Sequence, residues 1–489
     1  MTSVQLTNRG VAALRPDAVV LVASAGARGA VFDDASRDVA AALGLDLDAV
    51  VRRHAPAFGA AVGETCALVV PSCGVTVVLV GVAAGLAGVA EAAMAAAAAI
   101  RGHRRVATTL AGLGTDRPAA VRACVEGLLI GGYRQRADRG ARPAGAVSLL
   151  LAAPDRAADP ALRAAVRTAQ AAAAATSWVR ELVERPAGEL VPSVLAEEIR
   201  ARAGNAGVRV RVWTPRQLAT RGFGATLGVA AGSAQPPAVV ELRLGAERRD
   251  VLGLAGKGIT FDSGGLDLKR DPDEIAWMKS DMAGAAAVAA AVCAAAELGA
   301  SRTVHAVLPL TENMPGSRAL RPGDVVTHPD GRRTEVVDTD SEGRLVLADA
   351  VAHLARSGAR CIVDVGTLTD GGGLGHLRWG CWGNAPDLVA DVLRAGTAAG
   401  EPGWELPLLP RYRELFRSGV ADLRNCARDV SDTAMMAATY LSTFADGVAW
   451  AHVDNGGTAY LPAALAPWPE GATGSPTRAL LELITSTPT

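Results

Sequence analysis

The sequence predicts an α/β protein with a smaller N-terminal α/β domain and a larger C-terminal three-layer α/β/α domain around a mostly parallel central sheet. Its 489 residues exceed the usual size of one domain, about 100–200 residues. Hydrophobic residues make up 50% of the chain but aromatic residues only 4%, so large cores must be built from small side chains. Short apolar runs alternate with helical stretches, which is typical of strands joined by helices. Because charged residues reach only 20%, a disordered chain is excluded.

We place the N-terminal domain at residues 1–155 and a connecting helix at 156–184. Alanine-rich helical stretches separate four apolar runs that predict strands, at 18–23, 67–70, 75–82 and 147–151. The run 75–100 is the most membrane-like, but it is rich in alanine and glycine and contains Glu91, so we interpret it as a strand followed by a helix. The arginine-rich stretch 135–143 is broken by glycine and proline and predicts a loop near the boundary.

The C-terminal domain is placed at residues 185–489. Its predicted strands are at 208–212, 239–244, 251–254, 304–308, 361–365 and 449–453. A helix is predicted over 281–298, ended by Gly299. Strands that alternate with helices in this way form a mostly parallel sheet covered on both faces, and ligands bind beyond the carboxyl ends of its strands.

Charge and cysteine content exclude several classes of protein. The chain has 49 basic and 50 acidic residues, so no overall field attracts nucleic acid or a membrane surface. The 7 cysteines are odd in number, widely spaced and without a CxxC pair, which argues against a disulfide framework or a zinc ribbon. The N-terminus lacks a charged-then-apolar signal pattern. We therefore expect a cytoplasmic protein without membrane association.

Charged residues crowd three segments that follow or flank apolar strands. The segments are GKGITFDSGG at 256–265, WMKSDMAG at 277–284 and DTDSEGRL at 338–345. Four carboxylates in one site repel each other unless cations lie among them, and a pair of divalent metal ions sharing carboxylates and a water is the usual solution. In an extended segment Asp340 and Glu342 would point to one side. Gly343 would let the backbone approach a ligand, and Arg344 could hold an anion with two hydrogen bonds.

Other interpretations of these segments fare less well. The GKG triplet lacks the rest of a phosphate-binding loop, and DTDSEG lacks the remaining ligands of a calcium loop. Asp281 could instead cap its helix. Neither GxSxG nor HExxH occurs, and the 7 histidines are scattered. His452, within a predicted strand, is interpreted as structural.

The three segments, in this order and spacing, resemble the signature segments of the leucyl aminopeptidase family, the cytosol aminopeptidases, which are dimetal metallopeptidases. Similarity extends over most of residues 180–465. Further segments that resemble family landmarks are EGLLIGGYR (126–134), VERPAGELVP (183–192), TLTD (367–370), VADLRN (420–425) and WAHVDNGGTAY (450–460). The resemblance implies a hydrolase, a protease of the aminopeptidase kind, that acts on peptides or aminoacyl amides with a free N-terminus and assembles as a homohexamer.

The resemblance also implies a role for each residue. Lys257, Asp262, Asp281 and Glu342 would hold one metal ion. Asp262, Asp340 and Glu342 would hold the other, helped by the Asp340 carbonyl; the ions would be zinc, manganese or magnesium. Lys269 would stabilise the oxyanion, and Arg344 would hold a bicarbonate ion as general base. A lysine ligand must be neutral, which two adjacent cations would favour.

The surroundings of the implied site depart from the family pattern. Asp338 stands where the family has asparagine, Ser341 where it has alanine, and Asp370 where it has glycine. Asp338 and Asp370 would favour a basic substrate; alternatively Asp370 faces solvent or pairs with Arg378. The candidate residues of the substrate pocket are Met278, Asp338, Thr367, Leu368 and Asp370.

Three functions follow from these observations. The first is a metal-dependent aminopeptidase. The second is a specialised amidase or peptide-trimming hydrolase of a biosynthetic pathway, suggested by the altered pocket. The third is a non-catalytic DNA-binding protein that uses basic residues of the N-terminal domain; it is disfavoured because a buried carboxylate cluster is costly without a use. The basic residues concerned are Arg101, Arg104, Arg105, Arg134, Arg136, Arg139 and Arg142.

Overall fold

Two units make up the computed structural model, which describes residues 3–27, 29–70, 74–133, 146–150, 158–246, 250–427, 432–445 and 447–486. One unit comprises Met1–Ser177 with Ala463–Pro469, and the other comprises Trp178–Pro462 with Glu470–Thr489. The predicted loop 135–143 and four arginines of the DNA-binding hypothesis, Arg134, Arg136, Arg139 and Arg142, lie outside the described residues. The boundary between the units falls within a helix, and we keep 1–155, 156–184 and 185–489 as proposed domain limits.

The first unit is built around a mixed sheet. Its strands are β1 Ser3–Thr7, β2 Ala18–Gly26, β3 Gly29–Phe32, β4 Thr65–Val70, β5 Val75–Gly81, β6 Arg105–Thr108 and β7 Ala146–Leu150. Its helices are α1 Val11–Leu14, α2 Asp34–Ala42, α3 Leu47–His54, α4 Gly85–Ala99 and α5 Arg117–Gly131; α6, Pro160–Glu184, runs on into the second unit. The strand order is β1-β7-β6-β2-β5-β4, with β3 beside β2. Neighbours are parallel except for the β2–β3 and β4–β5 pairs.

Strand β2 shows how this sheet is covered on both faces. Val20 and Val22 belong to one hydrophobic cluster with residues of α4 and α5. Val19 and Leu21 belong to another cluster with residues of α2. Successive side chains of a strand point to opposite faces, so an unbroken apolar run is what a sheet buried on both sides requires. The apolar runs read from the sequence therefore correspond to real strands.

The second unit contains a nine-stranded sheet. The strands of this unit are β8 Arg209–Trp213, β9 Ala238–Leu244, β10 Val251–Gly256, β11 Gly258–Asp262, β12 Thr303–Asn313, β13 Val325–Thr327, β14 Arg333–Glu335, β15 Cys361–Gly366, β16 Trp379–Gly383, β17 Gly403–Glu405, β18 Leu423–Arg424, β19 Ala449–Asp454, β20 Tyr460–Leu461 and β21 Gly471–Ala472. Its main sheet has the order β17-β16-β19-β15-β10-β12-β9-β8, with β11 beside β12. The central strands β12, β10, β15 and β19 are parallel, which confirms the mostly parallel α/β fold class.

Helices cover both faces of this sheet. The α-helices of this unit after α6 are α7 Pro192–Asn205, α8 Pro215–Arg221, α9 Gly224–Ala230, α10 Pro272–Trp277, α11 Ala283–Glu297, α12 Glu342–Arg356, α13 Pro386–Ala398, α14 Thr433–Ser442, α15 Gly456–Ala459 and α16 Thr477–Thr485. Ala255 of β10 shares a hydrophobic cluster with α12. The next residue, Gly256, faces α11, where an added Cβ would lie 2.7 Å from the Cα of Ala285. Helices α11 and α12 therefore lie on opposite faces of β10.

Ten of the 15 residues of helix α11 are alanine, and small side chains let it approach the sheet closely. At Gly284 an added Cβ would lie 2.4 Å from the carbonyl oxygen of Val365. Among the described residues, one apolar run, Pro272–Glu297, is long enough to cross a bilayer, and 89% of its most apolar part is buried inside the protein. Such burial is expected of a core helix. The close packing brings the start of α11 to the carboxyl ends of β10 and β15.

Candidate metal centre

Each charged side chain of the predicted site is presented where a regular element ends or begins. Lys257 follows β10 directly, and Asp262 is the last residue of β11. Asp281 lies in the turn just before α11, and Glu342 opens α12. Strands β10 and β15 are parallel neighbours, so their carboxyl ends meet at one edge, the position at which such sheets bind ligands.

The structure brings all four predicted carboxylates together around two lysines. Lys257 Nζ lies 2.7 Å from Asp281 Oδ1 and 2.9 Å from Glu342 Oε1. It also donates a hydrogen bond to the carbonyl oxygen of Thr367 at 2.8 Å.

Lys269 completes the cluster on its other side. Its Nζ lies 3.1 Å from Asp262 Oδ2 and 2.7 Å from Asp340 Oδ1. We call this group the carboxylate cluster: Lys257, Asp262, Lys269, Asp281, Asp340 and Glu342.

The carboxylate cluster has the composition of a divalent cation site. Asp262, Asp340 and Glu342 each place one carboxylate oxygen within 4.8 Å of the others. Four carboxylates and two ammonium groups leave a net charge of −2 when all are ionised. Asp281 Oδ2 is buried and accepts no hydrogen bond from the residues that the structure describes. A buried charge without a partner is costly, and oxygen ligands suit magnesium or manganese and are accepted by zinc. The residues therefore fit metal ions.

Burial and mutual repulsion shift the acid–base properties of the cluster. Burial, followed by the negative charge of Asp262, raises the pKa of Asp340 to about 7. Burial also raises the pKa of Asp281 and of Glu342, against the attraction of Lys257. Burial would lower the pKa of Lys257, but the surrounding carboxylates outweigh it and raise that pKa above its usual range. The Lys257 ammonium group would lose its proton only if another cation offset the negative charge of these carboxylates.

Two asparagines that were not predicted from the sequence hold Asp262 and the segment around Asp338 in position. Asn313 Nδ2 donates to Asp262 Oδ1 at 2.8 Å and to the Thr339 carbonyl at 2.9 Å. Asn425 Nδ2 donates to the Asp338 carbonyl at 2.6 Å. Both asparagines lie outside the three segments, so the local sequence does not connect them with the site, although Asn425 is the last residue of the VADLRN segment.

Two expectations about the site need correction. Asp281 does not cap α11, whose N-cap is Met282 without a side-chain hydrogen bond. Asp281 instead accepts a hydrogen bond from Thr367 Oγ1 at 2.6 Å and contacts Lys257. The segment around Asp340 is a turn leading into α12 and is not extended, so helix geometry rather than strand alternation places Glu342 beside it.

The glycine of DTDSEGRL, which lines the cleft, has a further role that the sequence did not predict. An added Cβ at Gly343 would lie 2.4 Å from Cε and 2.5 Å from Nζ of Lys257. Gly343 therefore makes room for a lysine of the protein rather than only for a ligand. Arg344, the next residue, is 4% exposed and donates from Nη1 to the Asn425 carbonyl at 3.1 Å.

A cleft of about 370 Å³ opens over the carboxylate cluster. It is lined by Arg344 and by four predicted pocket residues, Met278, Thr367, Leu368 and Asp370. The fifth, Asp338, does not line it; its carboxylate accepts hydrogen bonds from the Asp340 amide and the Ser341 hydroxyl. The cleft wall also includes three aromatic residues that were not among the predicted pocket residues: Trp277, His376 and Tyr460.

His452 is fully buried and takes no part in the cleft. Its Nδ1 lies 2.5 Å from Asp364 Oδ1, and its ring stacks on Trp450 at 6.4 Å between centroids. These contacts support the structural interpretation of this histidine.

Known proteins resemble this chain along most of its length. The model of the cytosol aminopeptidase family, catalytic domain, matches residues 177–481. A probable cytosol aminopeptidase of Acidithiobacillus ferrooxidans is 38% identical over 408 residues, which cover 81% of this chain and 80% of the relative. The bottromycin maturation enzyme BotP, in complex with Mn, is 37% identical with a TM-score of 0.83, covering 96% of this chain and 99% of that one. A mutant of tomato leucine aminopeptidase is 29% identical with a TM-score of 0.86, covering 99% and 96%.

Proposed function

Because the chain belongs to the cytosol aminopeptidase family, it is a metallo-exopeptidase, and we propose that it removes the N-terminal residue of peptides at the carboxylate cluster. The observation that carries the proposal is the convergence of four carboxylates with Lys257 and Lys269 under one cleft. Lys257, Asp262, Asp281 and Glu342 would hold one divalent ion, and Asp262, Asp340 and Glu342 the other. Such ions, when bound, lower the pKa of a shared water and polarise the scissile carbonyl.

The remaining roles belong to side chains of the cleft. Lys269 keeps its charge because nearby carboxylates outweigh the effect of burial and raise its pKa. Its ammonium would donate to the oxygen of the tetrahedral intermediate, where charge develops. Arg344, buried at the cleft wall, would hold a bicarbonate ion that accepts the proton of the attacking water.

The experiment is a substrate panel on metal-stripped protein reloaded with zinc, manganese or magnesium. The panel contains aminoacyl p-nitroanilides of leucine, methionine, arginine and lysine, with N-acetylated leucine as control. We expect cleavage that needs both a metal ion and a free amine. Lys269→Met should lower kcat with metal content unchanged. Cleavage of the acetylated control at an equal rate would contradict an exopeptidase site.

A second candidate is a trimming enzyme of a peptide biosynthetic pathway. It is favoured because BotP, a maturation enzyme, is 37% identical to this chain, against 29% for the tomato leucine aminopeptidase. Comparing dipeptides with peptides of ten or more residues separates the two functions. A specialised enzyme would cleave only particular longer substrates, whereas a general one would accept dipeptides.

We also propose a cytoplasmic homohexamer, following the family resemblance, and light scattering after size exclusion would test the assembly.

The balanced charge of the chain argues against a DNA-binding role. Of the seven arginines that suggested this role, the structure describes Arg101, Arg104 and Arg105; the backbone amides of the last two donate to the Asp17 carboxylate. A salt-dependent shift of DNA mobility would revive that role.

A further inference from the structure

Two of the seven histidines, distant from each other in the sequence, meet in the second unit. His305 belongs to β12 and is buried, and His353 belongs to the last turn of α12. The centroids of their rings lie 6.0 Å apart. Glu241 of β9, the strand that pairs with β12, is buried beside them, and its Oε1 lies 2.9 Å from His305 Nε2. We call Glu241, His305 and His353 the imidazole site.

The imidazole site has the donor set of a zinc site. One possible ligand atom of each of the three side chains lies within 4.8 Å of the other two. Zinc binds imidazole nitrogen and carboxylate oxygen at about 2.0–2.2 Å, so the ligand atoms of a tetrahedral site lie about 3.3 Å apart. Small rotations of the side chains would therefore close this group around one ion, with water in the fourth position.

Two members of the imidazole site have atoms that are free to bind the ion. Arg243 and His305 both bind Oε1 of Glu241, and Oε2 accepts no hydrogen bond from the part of the chain that the structure describes. The hydrogen bond of His353 within that part is a long one, 3.4 Å between its Nε2 and Ser357 Oγ. The second ring nitrogen of His353 is left without a partner among these residues.

The surroundings of His353 favour a bound cation. Its ring is held between Trp213 and Phe223, with centroids 5.1 and 5.5 Å away, so the ligand is already ordered before an ion binds. Helix α12 ends three residues after this histidine. The carbonyl groups at the C-terminus of a helix carry partial negative charge, which attracts a cation.

Two arginines near the imidazole site oppose a cation, and both reach solvent. The side chain of Arg243 is 36% exposed, and its Nη2 lies 2.9 Å from Glu241 Oε1. Arg221 is exposed and stacks over the ring of Trp213, 4.8 Å from its centroid. An ion therefore has to displace only Arg243 from the carboxylate, and an ion pair open to solvent contributes little stability.

We propose that the imidazole site binds one Zn²⁺ ion through Glu241, His305 and His353. Imidazole nitrogen suits zinc, whereas magnesium and manganese prefer oxygen ligands. The ion ties the last turn of α12 to β9 and β12. Because the first turn of α12 carries Glu342 and Arg344, the ion also fixes the helix that presents these two residues. The proposal goes beyond the peptidase function and does not depend on it.

The first test counts zinc ions per chain by elemental analysis, after dialysis at the lowest free zinc concentration that saturates the parent protein. We expect His353→Asn to weaken this ion at least about tenfold, so that the variant holds one zinc ion fewer. The controls are His376→Asn, at the cleft, and His54→Asn, exposed on α3, and both should bind as much zinc as the parent. An equal count in His353→Asn and the parent would overturn the proposal.

The second test uses the unaltered chain and so does not depend on the folding of a variant. The probe is one equivalent of Cu²⁺, a stronger-binding substitute for zinc, with excess magnesium to occupy the carboxylate cluster. We expect pulsed electron paramagnetic resonance to show modulation from two imidazoles, and excess zinc to remove it. The carboxylate cluster contains no histidine, and an isolated surface histidine supplies only one imidazole.

The copper experiment can also contradict the proposal. Modulation from one imidazole or from none would overturn it, as would a two-imidazole signal that excess zinc leaves unchanged. Neither test measures peptide cleavage, so a failure of the proposed peptidase function would leave both results interpretable.

Discussion

Replacing Lys257 with methionine tests whether the buried carboxylates depend on this lysine for charge balance. Its side chain is 4% exposed and lies 2.7 Å from Asp281 and 2.9 Å from Glu342, which are themselves 5% and 2% exposed. Methionine has a similar volume, so the change removes the charge and the hydrogen bond to Thr367 with little loss of packing. Two buried carboxylates would then face each other without a counter-ion.

Removing one partner of a buried ion pair costs about 3–5 kcal/mol. We expect that loss in the free energy of unfolding of the second unit when the protein is kept in EDTA. Adding zinc or manganese should recover most of it, because a divalent cation held by Asp281 and Glu342 supplies the missing positive charge. The control is Lys279→Met, which breaks a partly exposed pair with Glu184 at 3.1 Å and should cost about 1 kcal/mol or less, with no recovery on adding metal.

Tryptophan fluorescence is a suitable assay for this prediction. Seven of the 8 tryptophans, all except Trp468, lie in the second unit, so the signal follows that unit in urea titrations. An unchanged midpoint for Lys257→Met in EDTA would refute the charge-balance argument. A loss that no metal restores would instead show that the lysine supports packing rather than the carboxylates.

Three further predictions follow from single contacts. Gly343→Ala should displace the Lys257 side chain and reduce metal affinity at least about tenfold in a competition titration, whereas Gly204→Ala, in open space on α7, should leave metal affinity unchanged and stabilise the helix by roughly 0.5–1 kcal/mol. Although burial raises the pKa of Glu241, His305 and Arg243 outweigh it and lower that pKa to about 2. A carboxyl whose folded pKa lies below its unfolded value near 4.5 contributes stability above that value and loses it as pH falls through about 2. Glu241→Gln should therefore cost about 2 kcal/mol at pH 7 in urea titrations, and its deficit should vanish near pH 2; a deficit that persists at low pH would point to packing. Arg344→Lys should lower kcat, with bicarbonate restoring part of the rate, and a rate insensitive to bicarbonate in the parent enzyme would contradict the anion role.

The sequence predicted the fold class because apolar runs such as those of β2, β10 and β15 are strands buried on both faces. It did not reveal β16, Trp379–Gly383, since two of the five residues in WGCWG are glycine. In the folded chain these glycines make room for large neighbours, and an added Cβ at Gly380 would meet the ring of Trp382 at 2.6 Å. Such a packing requirement arises only when distant segments meet.

The same limit applies to the site. Residues carried by the three motifs were predicted because local spacing and resemblance both identify them, and the structure brings them together. Asn313 and Asn425 were missed because each acts on a partner far away in the chain: Asn313 on Asp262, 51 positions distant, and Asn425 on Asp338.

The burial of the cluster lysines has a practical consequence for chemical modification of this protein. The chain contains three lysines, at 257, 269 and 279. The side chains of Lys257 and Lys269 are 4% and 10% exposed, and in the metal-free protein their raised pKa keeps them protonated and therefore unreactive toward acylating reagents. Amine-directed cross-linking or surface coupling will consequently be confined to the N-terminus and to Lys279, which is 21% exposed. Acetylation of Lys257, measured by mass spectrometry, would report opening of the site.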